Sequence, residues 1–440
     1  MSVTTQWCDR LTDERIQLAQ KAMSNADSGL ERLEGFILKI EDFHRLMNFL
    51  EAIHRTTYNT EPSRDRGTIY YYRNFLNARN VKGEVKNSYR AYKHLYYTVF
   101  DAMCCVLFLN NFGLDNAESE IPLPKDFDGW TNECKINWIN SVCRNLVNKA
   151  FFEDDMFMEL REILTNPDHE ENYWISSLEN DRFKCHFCNS SYSYVDSLKA
   201  HEKNEHAFQP SKQNSDKTLK KEASDELHDY VLSLFRLTAL HKNLDSAVDM
   251  GDGYRVVRSA KYETPIYNKT HKIKYFIGSV HLTAMVSGTL PVHQTKRLIA
   301  NRFINISGGK NSNISLDEYV EILNRDTKNT CSGFQTKESI IKHSKEFPHL
   351  INAVKHVDDI CNIRGRKGYH TLPSYRDDVK RVVADLLSVD AFTDHQDRKL
   401  VCRKLVQANN PFKDCYKGLS EMIVRHRPVL PFRRFRNKHL

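Results

Sequence analysis

The chain has 440 residues, of which 40% are hydrophobic and 28% are charged, and it contains only 16 glycines and 12 prolines. This composition indicates a globular, helix-rich protein with about two to four domains. The most apolar run, residues 96–109, contains Asp101 and falls short of the roughly 20 residues that a membrane-spanning helix requires, so the sequence excludes a helical membrane protein.

The formal net charge of +7 is concentrated near the C-terminus. Residues 425–440 form a basic tail that contains no acidic residue. Such a cluster is typical of a phosphate-backbone contact with DNA or another nucleic acid, or of a nuclear-localisation patch, and it favours a nuclear protein. The alternative is a solvated, disordered end. The candidate nucleic-acid-binding residues are Arg425, Arg427, Arg433, Arg434, Arg436 and Lys438.

The N-terminus and the cysteines both indicate an intracellular protein. Trp7, Asp9 and Arg10 interrupt any apolar segment that could serve as a signal peptide. The eleven cysteines are scattered rather than paired in a short frame, which is typical of a reducing compartment. Four of them lie in segments that we predict to be buried helix: Cys104, Cys105, Cys134 and Cys143.

The first predicted elements are a short strand over residues 3–10 and a helix that begins at Thr12. The Thr12 hydroxyl can cap this helix, and Asp13 and Glu14 follow in the first turn, where the helix dipole favours acids. Asp9 therefore lies at a strand-to-helix junction, where a carboxylate serves either as a metal or catalytic ligand or as a turn former. The junction predicts at most a remnant of an α/β core near the N-terminus.

The remainder of the N-terminal part, residues 1–165, is predicted to be helical. Apolar residues recur at spacings of three and four over residues 30–150, beginning with Leu33, Phe36 and Ile37. Tyrosines are dense in this part, and core packing is favoured over a stacking surface for nucleic acid. They are Tyr58, Tyr70, Tyr71, Tyr72, Tyr89, Tyr92, Tyr96 and Tyr97.

Residues 180–207 carry the most specific pattern in the chain. Cys185 and Cys188 are separated by two residues, twelve residues follow, and His201 and His206 are separated by four. This is the Cys₂His₂ spacing of a ββα zinc finger, in which a turn and one helical face converge on a tetrahedral ion. A four-ligand site is coordinatively closed, so we expect one structural Zn²⁺ without hydrolytic chemistry. The apolar positions that a finger buries are also present: Phe183, Tyr192 and Leu198.

The helix of this predicted finger has weak base-reading residues. The positions that usually contact bases hold Tyr194, Ser197 and Ala200, without an arginine or a bidentate amide. One finger covers only about 3 bp, so specificity would have to come from elsewhere. The finger can equally be a protein-contact module or a structural clip. The acids on its helix fit these roles at least as well as they fit a surface that binds phosphates. These acids are Asp196, Glu202 and Glu205.

Residues 208–225 are rich in Ser, Lys, Gln and Asn and predict a flexible linker. Helices resume over residues 226–373, where Ser315 and Glu318 form the pattern of a capping box, and further helices are predicted over residues 374–424. The predicted fold class is therefore mainly α. It is a helical body with a small inserted ββα finger and at most a remnant of an α/β core.

Several stretches resemble one family. Cys8-Asp9-Arg10-Leu11-Thr12-Asp13-Glu14-Arg15 is similar to the motif Gly-Asp-Gln-Leu-Thr-x-Glu-Arg of transposon-associated proteins of animals and fungi, catalogued as a domain of unknown function. Further matching stretches extend the likeness from Cys8 to about Pro373. They are Leu33-Glu34-Gly35, Asp42-Phe43-His44, Tyr58-Asn59-Thr60, Gly67-Thr68, Leu76-Asn77, Arg79-Asn80-Val81, Gly251-Asp252-Gly253, Arg302-Phe303-Ile304-Asn305, Asn313-Ile314 and Leu323-Asn324-Arg325.

The resemblance implies transposase ancestry and an RNase H-like core, in which carboxylates on separate strands hold two metal ions. Such a catalytic set would need Asp9 and at least two partners. Members usually carry a long region before the motif, whereas here eight residues precede Asp9, and the motif glycine and glutamine are replaced by Cys8 and Arg10. Asp42 and Asp252 remain, but they do not complete a set. We therefore expect a truncated or degenerate relative with Asp9 as a vestigial catalytic candidate.

The sequence thus predicts a zinc-binding C2H2 protein derived from a transposable element, catalytically degenerate and associated with nucleic acid. Two alternatives stay open. In the first, the finger is a protein-interaction or structural module that does not touch nucleic acid. In the second, the protein is an active metal-dependent transposase.

Overall fold

A computed structural model describes most of the chain. The described residues are 4–6, 10–33, 36–61, 64–116, 118–152, 166, 170–179, 182–193, 195–208, 225–330, 336–361 and 374–405. Asp9, most of the predicted linker and the whole basic tail, from Arg425 to Lys438, lie outside these residues.

The fold is mainly α-helical, as the sequence predicts. The described residues form fourteen α-helices: α1 (Arg10–Ala22), α2 (Asp42–Thr57), α3 (Ile69–Phe75), α4 (Tyr89–Asn111), α5 (Asn132–Phe152), α6 (Val195–Glu205), α7 (Glu226–Met250), α8 (Gly253–Lys269), α9 (Ile273–Ala284), α10 (Val292–Ala300), α11 (Leu316–Thr330), α12 (Lys337–His343), α13 (Phe347–Ile360) and α14 (Tyr375–Ser388). None of the helices in the described part of the chain combines the length and apolar character needed to cross a bilayer.

Short strands form three small sheets. The strands of the described residues are β1 (Thr4–Gln6), β2 (Phe36–Leu38), β3 (Leu178–Glu179), β4 (Arg182–Lys184), β5 (Ser191–Tyr192), β6 (Phe303–Ile304) and β7 (Ile314–Ser315). β1 and β2 are parallel, whereas β3, β4 and β5 form an antiparallel sheet and β6 pairs antiparallel with β7.

The elements β1, α1 and β2 form a small βαβ unit, which confirms the predicted α/β remnant. Gln20 on α1 donates hydrogen bonds to the carbonyls of Leu33 and Phe36, at 2.8 and 3.2 Å, and so ties the helix to the start of β2. The prediction of helix through Phe36 and Ile37 was wrong. A short apolar run fits a strand and a helix equally well, and here pairing with β1 decides.

Residue contacts divide the chain into two compact units. The first comprises Met1–Asp101 and Leu237–Val382, and the second comprises Ala102–Arg236 and Val383–Asn409. The second unit contains the predicted finger.

The core of the first unit consists of two clusters of buried apolar side chains. The first cluster draws on the segment before α2 and on α8 to α10: Ile40, Val257, Ala260, Leu282, Met285, Leu290, Leu298 and Ile299. The second packs α2 against α7 and α8: Leu46, Leu244, Ala247, Val248 and Val256. Leu244, Ala247 and Val248 show the helical spacing of three and four that places apolar residues on one face of α7.

Tyrosines complete this core. Tyr72, Tyr92 and Tyr96 are at most 1% exposed, which confirms the core-packing interpretation for these rings. The Tyr96 hydroxyl lies 3.0 Å from both His54 Nδ1 and Thr57 Oγ1, so its polar end is satisfied inside the core.

Two local predictions were wrong. The four helical cysteines lie in α4 and α5 as expected, but Cys105, Cys134 and Cys143 are exposed and Cys104 is half-buried. α5 leaves apolar side chains in solvent, including Ile136 at 57% exposure, so apolar spacing did not translate into burial there. The capping box at Ser315 is also absent. Ser315 lies in β7, and its buried hydroxyl makes no hydrogen bond within the described residues.

Candidate metal centre

The strands β4 and β5 and the helix α6 form a ββα arrangement. Phe183 of β4 lies opposite Tyr192 of β5, and the hairpin turn between the strands carries Cys185 and Cys188. His201 lies on α6, and His206 follows that helix directly. The two sulfurs and one ring nitrogen from each histidine lie within 4.8 Å of one another. The structure therefore brings together all four predicted ligands.

Hydrogen bonds shape the turn that carries the sulfurs. The Cys185 amide donates to the Ser190 carbonyl at 2.9 Å and closes the turn. The Phe187 amide donates to Cys185 Sγ at 3.4 Å, and the Ser190 hydroxyl lies 3.3 Å from Cys188 Sγ. Donors around a sulfur favour its thiolate form, which is the form that binds metals.

The two thiols respond differently to these surroundings. The hydroxyl and amide of Ser190 lower the pKa of Cys188 to about 5, and His206 and His201 act in the same direction. Burial raises the pKa of Cys185, against the effect of the Phe187 amide. Cys188 Sγ also lies 3.2 Å from His201 Nε2. A cation at this point would be bound by the Cys188 thiolate, which forms readily. It would also be bound by Cys185, whose thiol would lose its proton when the metal binds.

His206 provides a separate indication that the four residues fit a metal ion. Its Nε2 atom is buried and has no hydrogen-bond partner among the described residues. A buried polar atom without a partner is costly. One ring nitrogen of His206 lies within 4.8 Å of the two sulfurs and of a ring nitrogen of His201, where coordination to a metal ion would satisfy it. The donor set of two sulfurs and two nitrogens matches the tetrahedral preference of Zn²⁺.

The apolar residues expected around the ligands form a small core. Leu198 is fully buried, and the Tyr192 ring lies 5.1 Å from the His201 ring. Phe183 meets Trp174 edge-on at 5.9 Å. Trp174 belongs to a 3₁₀ segment, Glu170–Ser177, which precedes the strands and extends the ββα unit.

Glu202 is a buried residue whose role the sequence interpretation missed. The sequence places it among the helix acids that suit a protein contact, but it is 0% exposed. Its Oε1 accepts hydrogen bonds from the His186 amide at 3.0 Å and lies 2.8 Å from His186 Nδ1. The Tyr173 hydroxyl donates to Oε2 at 3.0 Å. Burial raises the pKa of this carboxyl, but the hydrogen bonds from His186 and Tyr173 outweigh it and hold the pKa below its usual value.

Glu202 thus joins three segments around the ligands: α6, the turn that carries His186, and the 3₁₀ segment that carries Tyr173. The Tyr173 ring also contacts Phe208 edge-on at 5.4 Å, and Phe208 contacts Phe187 at 5.0 Å. The neighbouring aromatic pair Tyr173 and Trp174, just before the finger, was the sequence signal that could have revealed this extension.

The other predicted site residues are less informative. Ser197 and Ala200, two of the predicted base-reading positions, are exposed on α6, whereas Tyr194 lies outside the described residues, as do Asp9 and the basic tail.

The two remaining acids of the resemblance have structural roles. Asp42 is buried between arginines, and Asp252 caps α8 by accepting a 3.0 Å hydrogen bond from the Arg255 amide. Within the described residues, the four ligands are the one group of three or more metal-binding side chains close enough to share an ion.

Comparison with known families gives a match to a family model. A family model described as "Family of unknown function (DUF6589)" matches residues 3–370, which is most of the chain. No curated protein and no solved structure is significantly similar to it.

Proposed function

The chain belongs to that family of unknown function, and from this premise we propose that it is a zinc-binding C2H2-type protein, derived from a transposable element, catalytically degenerate and associated with nucleic acid in the nucleus. The observation that carries the proposal is the convergence of Cys185, Cys188, His201 and His206 within 4.8 Å. The ion is one structural Zn²⁺, because four protein ligands leave no open position for a reacting water.

The metal stabilises a segment that has little core of its own. Around the four ligands, only Leu198 is fully buried among the apolar side chains of α6 and its hairpin in the described residues. Metal binding at such sites contributes on the order of 10–16 kcal/mol, which is large against what a small apolar core provides. Zinc would therefore hold the hairpin, α6 and the Glu202 network together.

Nucleic-acid association is supported by the basic tail in the sequence, and transposon ancestry is supported by the motif resemblance alone. Lys and Arg contacts to phosphates release counterions, so binding must weaken steeply as salt rises. Because the helix residues Ser197 and Ala200 cannot make bidentate contacts to bases, the binding would be largely independent of DNA sequence.

Salt-dependent binding of the full chain to random duplex DNA tests this part of the proposal. A variant with Arg433→Gln, Arg434→Gln and Arg436→Gln should bind more weakly. The slope of log affinity against log salt concentration should become shallower by about 3, roughly one for each phosphate contact removed. A matched control with Lys337→Gln, Lys342→Gln and Lys345→Gln removes the same charge from exposed positions elsewhere and should keep most of the slope. Absence of binding at low salt would contradict nucleic-acid association.

Catalytic degeneracy has its own test. The purified chain of 440 residues should not cleave DNA strands in the presence of Mg²⁺ or Mn²⁺. Cleavage that disappears in Asp9→Ala would instead support the active transposase.

One observation favours the alternative of a structural clip. Tyr173 and Trp174 cover part of the ββα unit with the chain that precedes it, through Glu202 and Phe183. If the finger only clips these segments together, Cys188→Ser should loosen them and leave DNA affinity unchanged. Loss of DNA affinity in the same variant would favour the nucleic-acid role.

A further inference from the structure

An open cavity of about 330 Å³ lies in the first unit, between the C-terminal end of α2, α3 and the start of α4. This volume is at the lower end of the range for small-molecule sites. The cavity belongs entirely to the first unit and is separate from the four metal ligands. The cavity is therefore a candidate ligand site that is independent of the proposed zinc site.

Four aromatic rings line the cavity. The centroids of the His54 and Tyr58 rings lie 4.2 Å apart with the ring planes tilted by 30°, and Tyr70 meets Tyr58 edge-on at 5.6 Å. Tyr92 meets His54 edge-on at 4.9 Å. Burial lowers the pKa of His54 to about 4, so this ring is neutral at neutral pH and stacks as an uncharged surface. Rings of this kind accept the flat face of another aromatic group.

The lining of the cavity is also cationic. Arg73 and Lys82 both line it, and the described lining residues include no carboxylate. Neither cation forms an ion pair with another described residue. Arg73 Nε donates to the Val81 carbonyl at 2.7 Å, which fixes the guanidinium against the loop but leaves its charge uncompensated. An uncompensated guanidinium and ammonium beside a cavity favour an anionic ligand.

The loop that carries Lys82 is held in place by the same residues that form the cavity. The Tyr92 hydroxyl donates to the Gly83 carbonyl at 2.7 Å, and Arg73 holds Val81 on the other side of Lys82. Val81 is 1% exposed. Two anchored carbonyls on either side of Lys82 define the path of the loop, so the cation is presented at the rim by an ordered backbone.

We propose that this cavity binds a nucleoside monophosphate unit, either free or as an unpaired nucleotide of a single strand, with the base against the His54, Tyr58 and Tyr70 rings and the phosphate at Arg73 and Lys82. The pairing of a flat aromatic surface with cations is how proteins bind single-stranded nucleic acid without reading its sequence. A phosphotyrosine side chain shares this chemistry but fills less of the volume, so we assign the cavity to the nucleotide. The site does not depend on the metal.

Two fluorescent probes distinguish the free nucleotide from the strand: 2-aminopurine riboside 5′-monophosphate, and a short oligothymidylate with one central 2-aminopurine. Stacking against a tyrosine ring quenches the fluorescence of 2-aminopurine. Binding of both probes indicates a site for the nucleotide unit, and binding of the oligonucleotide alone restricts the source to single strands. The full chain is used throughout, with and without a zinc chelator. Quenching that survives the chelator separates this site from the zinc-dependent function proposed above.

Variants locate the bound probe. Tyr70→Leu removes a ring and should weaken binding about five-fold or more, whereas Tyr70→Phe keeps the ring and should bind as the wild type does. Lys82→Gln should weaken binding of the monophosphate roughly three- to ten-fold at low salt, and it should not affect the weaker binding of the unphosphorylated 2-aminopurine riboside. Lys86→Gln is the matched control, because Lys86 is exposed nearby and already paired with Glu84 at 2.8 Å.

Thermal melting confirms that each variant is folded before its affinity is compared. The proposal is overturned if neither probe binds to the folded wild-type chain. It is also overturned if Tyr70→Leu and Lys82→Gln both bind as the wild type does, or if a phosphotyrosine peptide competes more strongly than the nucleotide.

Discussion

Arg302 donates two hydrogen bonds to Asp42, from Nε to Oδ2 at 2.8 Å and from Nη2 to Oδ1 at 2.6 Å, although 260 residues separate them in the chain. Both side chains are completely buried. Burial alone would raise the pKa of Asp42, but the neighbouring cations Arg302, Lys39 and Arg45 together outweigh this effect and lower the pKa. Asp42 begins α2, and Arg302 lies between α10 and β6, so the pair fastens two distant parts of the first unit together.

A second buried pair adjoins the first. Arg45 donates to both carboxylate oxygens of Glu263, at 2.8 and 2.6 Å, and lies 3.2 Å from Asp42. The start of α2 is capped by Asp317 of α11, which accepts hydrogen bonds from the Phe43 and His44 amides. Asp42, Phe43, His44 and Arg302 all belong to stretches that carry the family resemblance. Their contacts give those stretches a structural role within the first unit.

Removing the charge of Asp42 should destabilise the first unit strongly. Asp42→Asn leaves the Arg302 guanidinium buried without its carboxylate, and breaking a buried pair in this way costs about 3–5 kcal/mol. Urea-induced unfolding of the variant and the wild type measures the difference. Glu84→Gln is the control, because Glu84 pairs with Lys86 on the surface and should cost less than about 1 kcal/mol. Similar losses in both variants would contradict a structural role for the buried pair.

Gly253 begins α8 at a point where no side chain fits. A Cβ atom there would lie 2.0 Å from the Ile299 carbonyl oxygen, which is a backbone atom that cannot rotate away. Alanine is the better helix former by about 1 kcal/mol, but the clash should dominate, and Gly253→Ala should destabilise the protein by at least about 2 kcal/mol. Gly129→Ala, with open space around its Cβ, is the control and should be nearly neutral. Thermal or urea unfolding decides between the two effects.

His241 should make stability fall below neutral pH. Its Nε2 lies 3.1 Å from the Leu46 carbonyl and its Nδ1 lies 3.0 Å from the Tyr97 hydroxyl, so the neutral ring donates to the first and accepts from the second. Burial lowers its pKa from 6.5 to about 4, although Asp245 opposes this and Lys93 adds to it. Between these pH values the unfolded chain binds a proton that the folded chain does not. Stability is therefore full above pH 6.5 and is lost as the pH falls towards 4.

The contribution of His241 to that fall is about 2 kcal/mol between pH 7 and pH 5. His241→Gln keeps a donor and an acceptor but does not titrate. Between pH 7 and pH 5 its free energy of unfolding should therefore decrease by about 2 kcal/mol less than that of the wild type. The exposed His293 provides the control, and His293→Gln should follow the wild-type curve. If the free energy of unfolding of the wild type and of His241→Gln changes with pH in parallel, His241 has the same pKa in the folded and unfolded states, and the prediction is wrong.

The metal ligands could be predicted because their spacing along the chain is itself the signal. Cys185 to His206 lie within one short segment, and the hairpin and helix between them follow from local sequence. Glu202 could not be assigned, because its burial depends on Tyr173 and His186 from neighbouring segments. The Arg302 and Asp42 pair was inaccessible for the same reason, since nothing local distinguishes a buried charge from a solvated one. The strand Phe36–Leu38 likewise depends on a partner strand.

Metal binding should depend on Cys188 and not on the cysteines outside the site. The purified wild-type chain should contain one zinc ion, whereas Cys188→Ser should lose it and Cys134→Ser, an exposed helical cysteine of the same unit, should retain it. Hydrogen exchange of α6 should become fast in Cys188→Ser, because the metal contributes most of the stability of this segment. Zinc retained at full stoichiometry in Cys188→Ser would contradict the assignment of the ligands.

X-ray absorption at the zinc edge of the purified full-length chain tests the central claim most directly. The proposed site requires one zinc ion per chain, bound by two sulfurs at about 2.3 Å and two nitrogens at about 2.0–2.1 Å. A first shell of oxygen and nitrogen without sulfur, or a chain that binds no zinc when folded, would contradict a structural Cys₂His₂ site.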